Sequence, residues 1–113
     1  VIVAVIGSRN FQDFSLLEAT LSSLPEITQI VSGGAKGADS LAEIFANQRH
    51  ISVVVIKPDW KQYGKGAGIV RYRKIIEVAD MVVAFWDGKS KGTSSSLSMA
   101  KAKGIPIITV SIP

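Results

Sequence analysis

Five apolar, β-branched-rich runs separated by amphipathic stretches predict an α/β protein: a mainly parallel five-stranded sheet flanked by helices. Three observations carry this expectation. The runs lack strict alternation of apolar and polar residues, so both faces of each strand are expected to be covered. The stretches between them repeat their apolar residues at helical spacing. The two kinds of segment alternate along the chain, which marks βαβ units rather than hairpins.

The expected strands are Val1 to Ile6, Thr28 to Ser32, Ile51 to Lys57, Met81 to Trp86 and Pro106 to Ile112. Ser15 and Glu18 suit a capping box for the first helix, whose Leu17, Leu21 and Leu24 form one stripe before Pro25 stops it. Ala38, Leu41, Ala42 and Phe45 give the second helix its buried stripe. Ile69, Tyr72, Ile76 and Ala79 do the same for the third. The fourth starts near Thr93 or Ser94, buries Leu97 and Ala100, and leaves at Gly104 with Pro106 beyond. Right-handed crossovers leave few topologies for such a chain, and a doubly wound, Rossmann-like order 3-2-1-4-5 is the first choice.

A length of 113 residues fits one domain spanning 1–113, with a core of useful size and one site or face to carry the function. Nearly half the residues are apolar, as in a globular protein. No apolar run is long enough to cross a bilayer and no export signal is visible, so a cytoplasmic protein without a membrane partner is expected. The chain opens directly on the core-like run "VIVAVIG", which suggests native residues before Val1. The absence of cysteine excludes disulfides, thiolate metal sites and thiol nucleophiles. A lone His50 is a poor basis for a metal site or a Ser-His-Asp triad. The formal net charge of +4 shifts the expectation toward anionic partners without deciding it.

Ligands of doubly wound sheets bind where the strands' carboxyl ends meet a reversal of strand order. Four polar, glycine-bearing loops fall there. "GSRNF" supplies Gly7, Ser8 and Arg9. "SGGAKGAD" supplies Ser32, Gly33, Gly34, Ala35, Lys36, Gly37 and Asp39. It is neither a Walker A nor a dinucleotide glycine pattern, and by itself it reads equally as a tight turn or a phosphate cradle at a helix start. Asp39 either caps that helix or holds a ribose hydroxyl. "KPDWKQYGKGAG" is the longest connection; its Asp59, Trp60 and Tyr63 either pack the loop or stack on a base. Arg71 and Arg73 follow at the expected start of a helix, where the dipole disfavours cations. That points to phosphate binding, with a surface ion pair to Asp59 or Glu77 as the simpler alternative. "WDGKSKGTSS" brings Asp87, Gly88, Ser90, Gly92, Thr93 and Ser94 to another helix start.

Taken in this order, "GSRNF", "VSGGAKGADSLAEIFA", "KPDWKQYGKGAG", an arginine eight residues before "AD", and "FWDGKSKGT" resemble the YspA-type branch of the SLOG superfamily of Rossmann-like domains. The superfamily also includes the DprA/Smf DNA-processing proteins and the LOG phosphoribohydrolases, and the resemblance covers practically the whole chain. It implies a nucleotide or nucleotide-derived ligand bound across these loops, in prokaryotic or phage signalling or defence. LOG enzymes carry an arginine in an R-K-x-x-M segment and a glutamate closing P-G-G-x-G-T-x-x-E. Arg71 and Gly92-Thr93 match, but Trp86-Asp87-Gly88 replaces the P-G-G and Ser96 stands at the glutamate. A serine does not supply a carboxylate's charge to an oxocarbenium-like transition state; Arg71 and Asp87 are the catalytic candidates, and Asp87 or Asp39 would have to act from a different direction. Tyr72 and Ile75 depart from the asparagine and methionine usual in the branch.

The first expectation is therefore a sensor or sequestering protein that holds a nucleotide-derived small molecule. The amides of Gly33, Gly34, Gly37, Gly92 and Thr93 are expected on phosphates, Arg9, Lys36 and Arg71 supply charge, Asp39 or Asp87 orients a ribose, and Trp60 or Tyr63 covers the base. The second is DprA-like binding of single-stranded DNA, and the third is LOG-like cleavage of nucleoside monophosphates. No metal ligand set is evident; Mg²⁺ would need loop geometry to gather two of Asp39, Asp59 and Asp87. The resemblance also implies a homo-oligomer, since relatives commonly pair through helices.

Overall fold

The computed structural model describes residues Val1–Pro113. Strands β1 (Ile2–Gly7), β2 (Gln29–Ser32), β3 (Ser52–Val55), β4 (Met81–Trp86) and β5 (Ile107–Ser111) form one sheet of order β3-β2-β1-β4-β5. Every neighbouring pair is parallel, and β1 and β4 run side by side from Val3↔Met81 to Gly7↔Phe85. The order reverses between β1 and β4, so right-handed crossovers place the helices flanking β2 on one face of the sheet and those flanking β4 on the other.

Successive strand residues point to opposite faces, so each face receives its own half of the sheet's apolar side chains. On one face Val3, Val5, Ile30 and Phe85 meet Leu17 and Leu21 of α1 (Phe14–Ser22) and Ala42 and Phe45 of α2 (Ala38–Gln48). On the other, Ala4, Ile6, Val31 and Ala84 meet Ile75 and Ile76 of α4 (Ala67–Val78) and Ala100 of α5 (Lys91–Lys103). Burying a leucine such as Leu17 fully stabilises the fold by about 1.5–3 kcal/mol. At the amino edge Asp80 clamps β1: its Oδ2 accepts from the Ile2 amide at 2.7 Å, and its own amide donates to the Ile2 carbonyl at 2.8 Å.

The structure corrects several local expectations. Asp13, not Ser15, caps α1, its Oδ1 accepting from the Leu16 amide. Ile69 is 52% exposed, while Ile75 takes the buried place in α4. The third loop contains a one-turn helix, α3 (Trp60–Tyr63), and a 3-10 turn at Gly64–Gly66. α5 begins at Lys91, two residues before Thr93. The edge strands are not covered on both faces: Ser52 and Val54 of β3 and Thr109 and Ser111 of β5 are exposed. At the far end of α5, Gly104 adopts the left-handed conformation of a helix exit. No helix is long and apolar enough to cross a membrane.

Candidate anion-binding cleft

Loops one, two and three meet at the carboxyl edge and line an open cleft of about 500 Å³ between Arg9, Gly34, Ala35, Lys36, Pro58, Trp60 and Arg71. Its cations come from three different segments. Arg9 follows β1 and Lys36 precedes α2, and both are exposed. Arg71 reaches in from the second turn of α4 and is only 7% exposed. Because α4 begins at Ala67, Arg71 lies past the first turn, and the dipole penalty expected of it is largely absent. Trp60 is 59% exposed at the rim, so it is not spent on packing. No acid lines the cleft.

The second loop is held from below by two buried charges. Asp39, 4% exposed, accepts through Oδ2 from the Gly33 amide at 2.9 Å and the Ala35 amide at 3.3 Å. Burial pushes its carboxyl above the usual carboxylate range, against the lowering effect of those amides and of Arg71. Arg71 donates from Nη1 to the Gly33 carbonyl at 3.0 Å, and its guanidinium carbon lies 4.4 Å from the centre of the Tyr72 ring. Its Nε is buried without a partner. Gly33 is thus gripped at both ends of its backbone, and a Cβ there would stand 2.9 Å from Asp39 Oδ2 and 3.2 Å from Arg71 Cδ. Gly37 answers a different need: φ is +79° and a Cβ would collide with the carbonyl oxygens of Ser8 and Arg9, so it lets loops one and two touch.

This geometry revises the phosphate cradle. The amides of Gly33 and Ala35 are taken by Asp39 and that of Gly34 by the Ser32 hydroxyl at 3.1 Å. They shape the loop and are not free for an anion. α2 starts after Gly37 with no side-chain oxygen capping its first turn. Asp39 is committed to its loop through Oδ2, not to a helix cap. Neither Asp59 nor Glu77 pairs with Arg71; the one ion pair is Arg49 with Glu18 at 3.8 Å.

The other expected residues separate from the cleft. Asp59 caps α3, its Oδ1 accepting from the Gln62 amide, and Tyr63 lies beneath Lys74, 5.6 Å from Nζ to the ring centre. Ser8 is buried and its hydroxyl accepts from the Asp87 amide at 3.2 Å, joining loop one to loop four, while Gly7 lets β1 lie close to the Phe85 carbonyl. Asp87 Oδ1 accepts from the Lys89 and Ser90 amides, which hold its carboxyl below the usual range, in the turn that carries Gly88 at positive φ. Ser90, Gly92, Thr93 and Ser94 form the uncapped start of α5, and Gly92 leaves room for the Tyr72 hydroxyl. Loop four does not line the cleft itself; it touches loop one through Asp87 and Ser8, and Gly92 lies against Tyr72, on whose ring Arg71 stacks. Ser96 is fully buried and donates to the Gly92 carbonyl. No three acidic or histidine side chains gather anywhere in the fold. Pro58 lines the cleft with no signal in the sequence beyond its loop.

Fold and cleft together define a doubly wound α/β protein with a cationic cleft at its strand-order reversal. The chain belongs to the YspA, cpYpsA-related SLOG family (YAcAr), whose sequence model matches residues 1–63. The Gene 61 protein of Mycobacterium phage D29 is 34% identical over 116 residues, covering 94% of this chain and 93% of that protein. The X-ray structure of DNA processing protein A (DprA) from Streptococcus pneumoniae superposes on 98% of this chain with a TM-score of 0.80 and 21% identity. DprA from Helicobacter pylori, a protein solved for its single-stranded DNA binding mode, superposes on all of it with a TM-score of 0.75 and 22% identity. The chain spans 50% of the first DprA and 66% of the second.

Proposed function

We propose that the cleft binds single-stranded DNA, with Arg9, Lys36 and Arg71 on phosphate oxygens and Trp60 as a stacking face for a base. The observation that carries this reading is the combination of three converging cations, no acid and an exposed tryptophan in an open cleft. Positively charged grooves set with aromatic faces are the common solution for single strands. The DprA fold and the net charge of +4 point the same way.

A free nucleotide-derived ligand is the second reading, favoured by the cleft's size: about 500 Å³ lies within the usual range for small-molecule sites. Cleavage of a glycosidic bond has less support. No carboxylate faces the cleft, and Ser96 stands buried in α5 at the position of the LOG glutamate.

Fluorescence anisotropy with labelled oligothymidylates of increasing length, competed by thymidine monophosphate, separates the two. Affinity should rise with strand length, and Trp60→Ala should weaken it by about tenfold, the value of one lost stacking contact. A mononucleotide that competes as well as the longest strand would move the assignment to the small ligand.

A further inference from the structure

Loop one does not end at the cleft. Its next residues turn toward α1 and β5, where Asn10, Phe11, Gln12, Asp13, Leu16 and Ile112 line a second cavity of about 300 Å³. Arg9 lines the cleft and Asn10 lines this cavity, so neighbouring residues, their Cα atoms about 3.8 Å apart, divide the two.

Their chemistry differs. The second cavity has no cation. Phe11 is buried there and stacked on Phe85, ring centres 4.8 Å apart, with half-buried Leu16 and Ile112 beside it. Asn10 and Gln12, both exposed, bring side-chain amides to its edge. Asp13 spends Oδ1 on the Leu16 amide at 3.0 Å and leaves Oδ2 without a partner. An apolar wall edged by amides and a carboxylate repels phosphate and suits a flat heterocycle with hydrogen-bonding edges.

We propose that this cavity is a nucleobase subsite, which takes a base from the same strand whose phosphate lies in the cleft. The inference rests on the DNA-binding reading of the cleft and extends it: the strand crosses loop one at Arg9, with phosphate contacts on the β2–β3 side and base recognition on the β5 side. Asp13 accepts from an exocyclic amino group, so cytosine, adenine and guanine are favoured over thymine.

The test uses short oligodeoxycytidylates carrying a single abasic unit at each position in turn, bound to the whole chain and to three variants. The wild type should show two sensitive positions, each abasic unit lowering affinity by about tenfold. Leu16→Trp, which fills the cavity, should erase one of them, and Trp60→Ala should erase the other. Asp13→Asn keeps the helix cap, since Asn caps as well as Asp, and should narrow the preference for cytidine over thymidine strands. Circular dichroism verifies that each variant folds. Two sensitive positions that persist in folded Leu16→Trp, with an unchanged cytidine preference in Asp13→Asn, would overturn the subsite and leave the cleft intact. Failure of the wild type to bind any strand would remove the cleft reading and the subsite with it.

Discussion

Asp39 and Arg71 hold opposite ends of the Gly33 backbone, and their neighbourhood yields the sharpest predictions about single residues. Gly33→Ala should force one of them away, costing about 1–3 kcal/mol of stability as buried partners are lost, together with DNA affinity. Denaturant midpoints and anisotropy read the two effects. For Asp39 the sign follows from its raised pKa. The protonated acid is favoured in the folded state, so its contribution is full below the unfolded value, near 3.8, and is lost as pH rises through the folded value. Asp39→Asn keeps an oxygen for the amides without the buried charge, so near neutral pH it should match or exceed the wild type in stability, and the difference should shrink on acidification. Asp39→Ala, with no acceptor, should lose about 1–3 kcal/mol at every pH. A pH series of unfolding curves that shows Asn and Ala equally damaging would contradict the assignment. The sequence made Gly33, Arg71 and Asp39 visible as candidates. It did not show that the loop amides would be consumed internally, because that depends on a carboxylate folding back from the next helix.

Elements were legible where burial on both faces imposes a pattern. β4 matches its expected range, the strand order is the one expected, and α2 carries the expected stripe. The third loop was less legible, because four residues of helix and a 3-10 turn are too short to leave a period. Ile69 misled because an apolar residue at helical spacing need not face the core. One long-range cap was also invisible in the sequence. Lys103 at the end of α5 donates from Nζ to the carbonyls of Ile76, Glu77 and Ala79, closing the end of the helix that carries Arg71. Lys103→Met should therefore lower stability by about 1.5–3 kcal/mol, the range for hydrogen bonds to a charged group, while leaving DNA affinity unchanged at temperatures where the protein is folded. A thermal unfolding curve identical to the wild type would show that the three contacts contribute nothing net.

At the scale of the whole molecule, the cationic cleft lies on the carboxyl edge of the sheet, where strand order alone predicts a site. The sequence exposed that edge through its loops but could not sort them. It took the residues after β1, β2, β3 and β4 as one site; those after β4 are absent from the cleft lining, though Gly92 lies against the Tyr72 ring on which Arg71 stacks. The resulting account makes electrostatics its central term, since three cations converge with no acid in the cleft lining. Each phosphate neutralised on a single strand contributes about −0.7 to the slope of log affinity against log salt, so three contacts predict a slope of roughly −2. The most direct test is a salt titration of strand binding by the wild type and by Lys36→Gln. The account predicts a slope near that value for the wild type and one shallower by about 0.7 for the variant. Salt-independent binding, or a slope that Lys36→Gln leaves untouched, would contradict it.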